Sequence, residues 1–146
     1  MDVAAVQLAA ANEPEANRER AVSRIREAAD SGADLVVLPE LWPVGYFAFD
    51  DYADAAERIP GPTTERLGAL SDDLSIHLHG GSLLERDGDD LYNTSVLFGP
   101  DGELLGTYRK LHLFGYDSEE ATRLTPGSEI CAVETDLGTV GLTTCY

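Results

Sequence analysis

The chain has 146 residues, 43% of them hydrophobic, and a formal net charge of −17 at neutral pH. That length suits one domain able to bury roughly 70% of its unfolded surface, and the apolar content argues for a folded chain despite the charge. Nine arginines and one lysine form no basic cluster, which argues against nucleic acid and anionic membrane as partners.

No stretch approaches the roughly 20 apolar residues of a membrane span, and the start of the chain does not resemble a signal peptide. The expectation is a soluble, cytoplasmic protein. Asp and Glu are spread along the chain rather than gathered in a tail, which reads as a halophile-like surface whose self-repulsion salt would screen.

In chain order, residues 2–9 are nearly all apolar and predict a central strand covered on both faces. Asn12 and Glu15 have capping-box spacing, and Pro14 suits a first helical turn. The helix is predicted to run to about Ser31, with Ala21, Val22, Ile25, Ala28 and Ala29 as its buried stripe and Gly32 as its stop. Leu35 to Leu38 follows as a buried strand, giving a β-α-β unit with parallel pairing and a right-handed crossover. Pro39 ends that ladder, so Glu40 falls just past the carboxyl end of a parallel strand, where open α/β sheets place ligand crevices. The aromatic, proline-punctuated run from Leu41 to Phe47, including Trp42 and Tyr46, reads as a pocket wall.

Short helices are expected at residues 51–58 and from Thr63 to Asp73, the second capped by Thr63 or Thr64. Ser75 to Glu85, Leu91 to Phe98 and Glu103 to Tyr108 read as strands, separated by turns at residues 87–90 and 99–102. Leu111 to Gly127 is too polar for a buried strand and reads as a functional loop. A last hairpin joins Ile130 to Thr135 with Thr139 to Cys145. A two-residue turn at Asp136-Leu137 would set Cys131 opposite Leu142 with Cys145 on the other face, and a three-residue turn would bring both thiols to one face. A cytosolic setting favours free thiols.

Taken singly, the chemistry-bearing residues have ordinary readings. Glu40 reads equally as a helix cap or loop acid, Cys145 as a small buried apolar residue, and Glu119 with Glu120 as a solvated pair. Lys110 stands out because it is the only lysine. His77 and His79 share one strand face without an evident third metal ligand, and His112 is a candidate partner for the thiol. No Gly-x-Ser-x-Gly, phosphate-loop or dinucleotide fingerprint occurs.

As an ordered set, the motifs change that reading. Pro39-Glu40, the segment Tyr108-Arg109-Lys110-Leu111-His112-Leu113-Phe114 and Gly141-Leu142-Thr143-Thr144-Cys145-Tyr146 resemble the carbon–nitrogen hydrolase (nitrilase) superfamily. Gly80-Gly81-Ser82, Leu91-Tyr92-Asn93-Thr94-Ser95-Val96 and Leu124-Thr125-Pro126-Gly127 look like its connecting strands.

The resemblance implies an α/β fold, a four-layer α-β-β-α sandwich, here ending after the nucleophile strand. Residues 1–146 would be the N-terminal half of that domain, with the second half absent. It implies Cys145 as nucleophile, Glu40 as general base, Lys110 as the cation for the tetrahedral intermediate, and Glu120 (or Glu119) positioning Lys110 or the substrate. Trp42, Tyr46, His112 and Tyr146 become candidate substrate contacts. Nitrile-cleaving members usually carry Trp-Glu after the cysteine, whereas Tyr146 looks more like the amidases of ω-amides or carbamoyl amino acids.

The implied activity is hydrolysis of small amides or carbamoyl compounds through a Cys thioester, releasing ammonia without metal or organic cofactor. The small-molecule amide is then the partner, and a full-length chain is expected to be a homo-oligomer. A different class stays open: a non-catalytic α/β module that binds a partner through an uncovered sheet face.

Overall fold

The computed structural model describes residues 1–11, 13–115 and 118–145. Five strands form one mixed sheet in the order β1 (Val3–Ala5), β2 (Leu35–Val37), β3 (His77–Asp87), β4 (Asp90–Phe98), β5 (Leu104–Arg109). The first three are parallel and the last two antiparallel to their neighbours. A separate antiparallel hairpin, β6 (Cys131–Thr135) and β7 (Gly138–Leu142), makes a second, two-stranded sheet. None of the described helices is long and apolar enough to cross a membrane.

Helix α1 (Pro14–Asp30) follows the expected stripe: Ala21 and Ile25 are fully buried, and Val22, Ala28 and Ala29 pack beside them. Gly32 ends it at a φ of +91°, a conformation that costs glycine little. Asn12, the expected cap, lies outside the described residues; the residue at the cap position, Glu13, makes no side-chain capping bond. Helix α3 (Pro62–Leu74) corrects another expectation. Its cap position is Gly61, and Thr64 reaches back so that its Oγ1 accepts the Gly61 N–H at 2.8 Å. Pro62, which lacks an N–H, takes the first turn instead of Thr63. Residues 51–58 hold only the four-residue α2 (Tyr52–Ala55), preceded by a 3₁₀ turn at Phe49–Asp51.

The two long helices cover one sheet face, where Ile25, Leu67 and Leu70 meet Val36, Leu78, Val96 and Phe98. The opposite face carries the hairpin, with Leu142, Val133 and Val140 against Leu97 and Tyr108. The Asp136-Leu137 turn has two residues, and Cys131 sits opposite Leu142. Both cysteines are free.

Strand β1 is not central. Among the described residues, the pairing order places it at the end of the sheet with β2 as its one neighbour, and Val3 is 52% exposed. Continuous apolarity marked this stretch as buried on both faces, but only Val3–Ala5 lies in the ladder. The cysteine-bearing strand is also shorter than expected. It leaves the ladder at Leu142, and Cys145 sits three residues beyond, at a φ of +64°.

Candidate active site

Glu40 is aimed by a tight backbone junction. After β2 the chain turns sharply, and buried Leu41 takes a φ of +45°, a strained conformation for a side-chain-bearing residue. Three contacts from β3 hold the turn. The Ser82 Oγ accepts the Leu41 N–H at 3.0 Å, the Ser82 N–H donates to the Pro39 carbonyl at 3.2 Å, and the Trp42 indole N–H donates to the Gly80 carbonyl at 2.8 Å. A bulge between His79 and Ser82 makes this approach possible. A Cβ on Gly81 would stand 2.2 Å from the Pro39 carbonyl oxygen, so the Gly-Gly-Ser run is needed for backbone contact.

Lys110 follows β5 directly. Its main-chain N–H donates to the Asn93 carbonyl at 2.8 Å, and its carbonyl accepts the Gly127 N–H at 2.9 Å. Its side chain, 1% exposed, places Nζ 2.8 Å from Glu40 Oε1 and 2.9 and 3.1 Å from the two oxygens of Glu120. Burial alone would lower the Lys110 pKa, but hydrogen bonds from its ammonium to Glu40 and Glu120 raise it above its ordinary value.

Glu120 sits in a helix the sequence hid. The loop from Leu111 to Gly127 contains α4 (Glu119–Arg123), five residues long and capped by the Ser118 hydroxyl, which accepts the Ala121 N–H. One turn is too short to show periodicity. Glu120 is fully buried while Glu119 is exposed and paired with Arg123, so the two are not a solvated pair. Burial would raise the Glu120 pKa, but donors from the Phe114 N–H, Lys110 and Asn93 hold it below the ordinary carboxylate value. The Tyr46 hydroxyl also donates to Glu120, at 3.1 Å. Desolvation and the neighbouring carboxylates raise the Tyr46 pKa, so its phenol stays protonated at neutral pH.

The cysteine comes from the second sheet, not from the sheet that carries Glu40 and Lys110. Strand β4 joins the two. Asn93 and Ser95 lie on one face of it, about 7 Å apart. Asn93 donates to Glu40 and Glu120, and Ser95 shares a 2.6 Å hydrogen bond with Thr144, the residue before Cys145. Cys145 is exposed, near enough to Tyr46 for a thiolate charge to raise that phenol further. An open cleft of about 730 Å³ abuts this region, lined by Gln7, Pro39, Glu40, Trp42, Tyr46 and Phe49.

Of the other candidates, His112 is exposed and forms no hydrogen bond with Glu40, Lys110 or Glu120. Tyr146 lies outside the described residues. His77 pairs with Asp136 at 3.1 Å across to the hairpin turn, and His79 Nδ1 accepts the Gly81 N–H. No cluster of three metal-ligating side chains occurs among the described residues. The sequence reading passed over Asn93, Ser95 and Thr144. Three successive polar residues, Asn93-Thr94-Ser95, in an otherwise apolar central strand were the available signal, since buried polar groups need partners.

This arrangement is an acid–amine–acid cluster, its amine and one acid fully buried, on an α/β scaffold that also carries an exposed thiol. The chain belongs to the carbon–nitrogen hydrolase family, whose model matches residues 2–146. It is 43% identical over 152 aligned positions to human omega-amidase NIT2, covering 99% of this chain and 54% of that protein. The omega-amidase NIT2 of Xenopus tropicalis is 44% identical, with 89% of this chain and 49% of that one covered. Saccharomyces cerevisiae Nit3, of branch 10 of the nitrilase superfamily, superposes with a TM-score of 0.87 at 33% identity, over 99% of this chain and 55% of that one. An amidase from Nesterenkonia sp. gives 0.86 at 28%, over 100% and 56%. The chain thus spans about half the length of the curated relatives it matches.

Proposed function

We propose that these residues are the N-terminal half of an amidohydrolase that cleaves small amides through a thioester on Cys145. The observation that carries this reading is the shared ammonium. Lys110 Nζ lies within hydrogen-bond distance of both Glu40 and Glu120, and Tyr46, a residue of the cleft wall, bonds Glu120 and lies near Cys145.

In this reading Glu40 takes the thiol proton as sulfur attacks the amide carbon. The C=O π pair moves to oxygen, and the oxyanion forms against Lys110 and a main-chain N–H beside Cys145. Collapse re-forms the carbonyl and breaks the C–N bond; Glu40 passes its proton to the departing nitrogen, giving ammonia and a thioester. Water then gives a proton to Glu40 and attacks the thioester, and the acid leaves as the thiol is restored. Glu120 keeps Lys110 in place. Each step is a proton transfer or an acyl transfer, so the sequence of steps needs no metal or organic cofactor.

Amide rather than nitrile substrates are supported by the relatives. The human and Xenopus tropicalis relatives are named omega-amidases, and a cysteine-to-alanine variant of the Nesterenkonia amidase is seen in complex with butyramide. In another variant of that amidase, the acetamide moiety of fluoroacetamide is added covalently at its active-site cysteine. Trp42, Tyr46 and Tyr146 are the proposed substrate contacts on this half, carbamoyl compounds are the second substrate group, and a homo-oligomeric cytoplasmic enzyme is the corresponding whole.

The test is ammonia release by the full natural protein carrying these residues, from butyramide, glutarate-type monoamides and carbamoyl amino acids. Cys145→Ala is expected to abolish turnover, and Glu40→Gln to lower kcat by about a hundred- to ten-thousandfold. Ammonia release that survives in Cys145→Ala overturns the reading.

A further inference from the structure

Asn93 is 1% exposed on β4, and its side chain does something that packing alone does not require. Its amide nitrogen donates to Glu40 Oε1 at 2.8 Å and to Glu120 Oε1 at 3.3 Å. These are the same two oxygens that Lys110 Nζ holds at 2.8 and 2.9 Å. Two donors and two acceptors therefore close a ring: ammonium, Glu40 oxygen, amide nitrogen, Glu120 oxygen. Meanwhile the Asn93 Oδ1 is buried and is the one buried side-chain polar atom without a partner among the described residues. Turning the amide over would set that oxygen against two carboxylates, so electrostatics fixes the rotamer and leaves the acceptor unpaired.

We propose that Asn93 is a positioning residue, which locks Glu40 through Oε1 so that Oε2 alone is presented to the thiol. The inference rests on the amidohydrolase reading above. No hydrogen bond reaches Glu40 Oε2 among the described residues, and the Glu40 side chain is 24% exposed, so one of its oxygens is tied and the other is open. Protonation at Oε2 turns Oε1 into a carbonyl oxygen, which still accepts from both Lys110 and Asn93. The base can therefore gain and lose its proton without the ring rearranging, which is what a preorganised site needs.

An amide fits this place on chemical grounds. Two carboxylates share one ammonium, and a second donor must serve both without adding charge that competes with Lys110. A primary amide offers two diverging N–H groups and no charge. A hydroxyl offers one donor, and a carboxylate repels both partners. The same residue also accepts the Lys110 main-chain N–H on its carbonyl, so one position sets both the amine and its acids. Two residues along the same face, Ser95 holds Thr144 beside the nucleophile.

The experiment compares the full natural protein with Asn93→Leu and Asn93→Asp, using amide hydrolysis under saturating and limiting substrate. Asn93→Leu keeps the volume and removes the donor; the expected result is a fall in kcat of about ten- to a hundredfold with KM within threefold. Asn93→Asp, near-isosteric, is expected to lose at least as much kcat, and it stands in if the leucine variant does not fold. In the wild type, the Asn93 side-chain amide protons are expected to exchange with solvent far more slowly than exposed asparagine amides. A variant with kcat within twofold of wild type, a change confined to KM, or freely exchanging Asn93 amide protons overturns the proposal and leaves the amidohydrolase reading standing. A wild-type protein that releases no ammonia from any amide fails the reading itself.

Discussion

At the scale of single residues, Lys110 is the most tightly committed cation of the site. Its ammonium faces two carboxylates, one of them fully buried, and its removal leaves Glu120 charged without its cation. Breaking one side of a buried pair typically costs about 3–5 kcal/mol. Lys110→Met is therefore expected to lose that much stability in urea titrations, together with all turnover; an unchanged urea midpoint would show that the cluster does not hold the fold.

The same residues set the pH range. Glu120 has a depressed pKa when folded, so its contribution is complete above the ordinary 4.5 and is lost as pH falls through the folded value. His79, outside this cluster, is lowered from 6.5 by burial and adds a separate loss that begins as pH falls below that value. Lys110 is raised, so its contribution is complete below 10.5 and disappears as pH rises through its folded value. Stability from this cluster should form a plateau between those limits. Urea midpoints measured across pH check it, and Glu120→Gln should flatten the acid side.

At the scale of elements, junctions decide more than the strands do. The bulge in β3 brings Gly81 against the end of β2, where a methyl group would meet the Pro39 carbonyl and where φ is +63°. Gly81→Ala should cost about 3 kcal/mol or more, the sum of a left-handed backbone penalty and a main-chain clash. It should lower activity as well, because Glu40 is aimed by that contact. Thermal unfolding with kinetics on the same sample separates the two effects. The hairpin is joined to β4 by the Ser95–Thr144 bond. Thr144→Val should cost about 1 kcal/mol in stability yet, in the proposed reaction, lower kcat by about ten- to a hundredfold, since it loosens the approach of Cys145.

The connecting segments resembling the family turn out to serve these junctions. Gly80-Gly81-Ser82 braces Glu40, the strand through Asn93 and Ser95 joins acid to thiol, and Gly127 packs on Arg109 and accepts no Cβ there, since one would lie 2.2 Å from the Arg109 carbonyl. The place of Glu40 at a crevice was suggested by its position after a parallel strand. The polar run Asn93-Thr94-Ser95 signals only that buried partners exist; which ones Asn93 meets is not local, because they lie 53 and 27 residues away.

At the scale of the whole molecule, the charge of −17 has a measurable consequence. Like charges on one small domain repel, and the screening length falls from about 10 Å at 0.1 M salt to about 3 Å at 1 M. The melting temperature should rise when potassium chloride is increased over that range, and a flat or falling response would remove the salt-adapted reading of the surface. Family membership, with the ion cluster at the cleft, supports the proposed amidohydrolase over a non-catalytic module.

The sequence by itself determined the alternation of most elements and the buried stripe of α1, left two turns open for the last hairpin, and offered Glu40, Lys110 and Cys145 as candidates through their resemblance to the family's motifs. The elements and the stripe depend on periods and turn residues that operate over a few neighbours, and the candidates on an ordered set of motifs. Tertiary structure alone decided that β1 lies at the end of the described sheet, that Glu120 is buried in a one-turn helix, that the thiol arrives from a second sheet, and that Asn93 closes the ring of charges. Each of these is a contact between distant segments, and its energy comes from desolvating groups together, which no local pattern encodes.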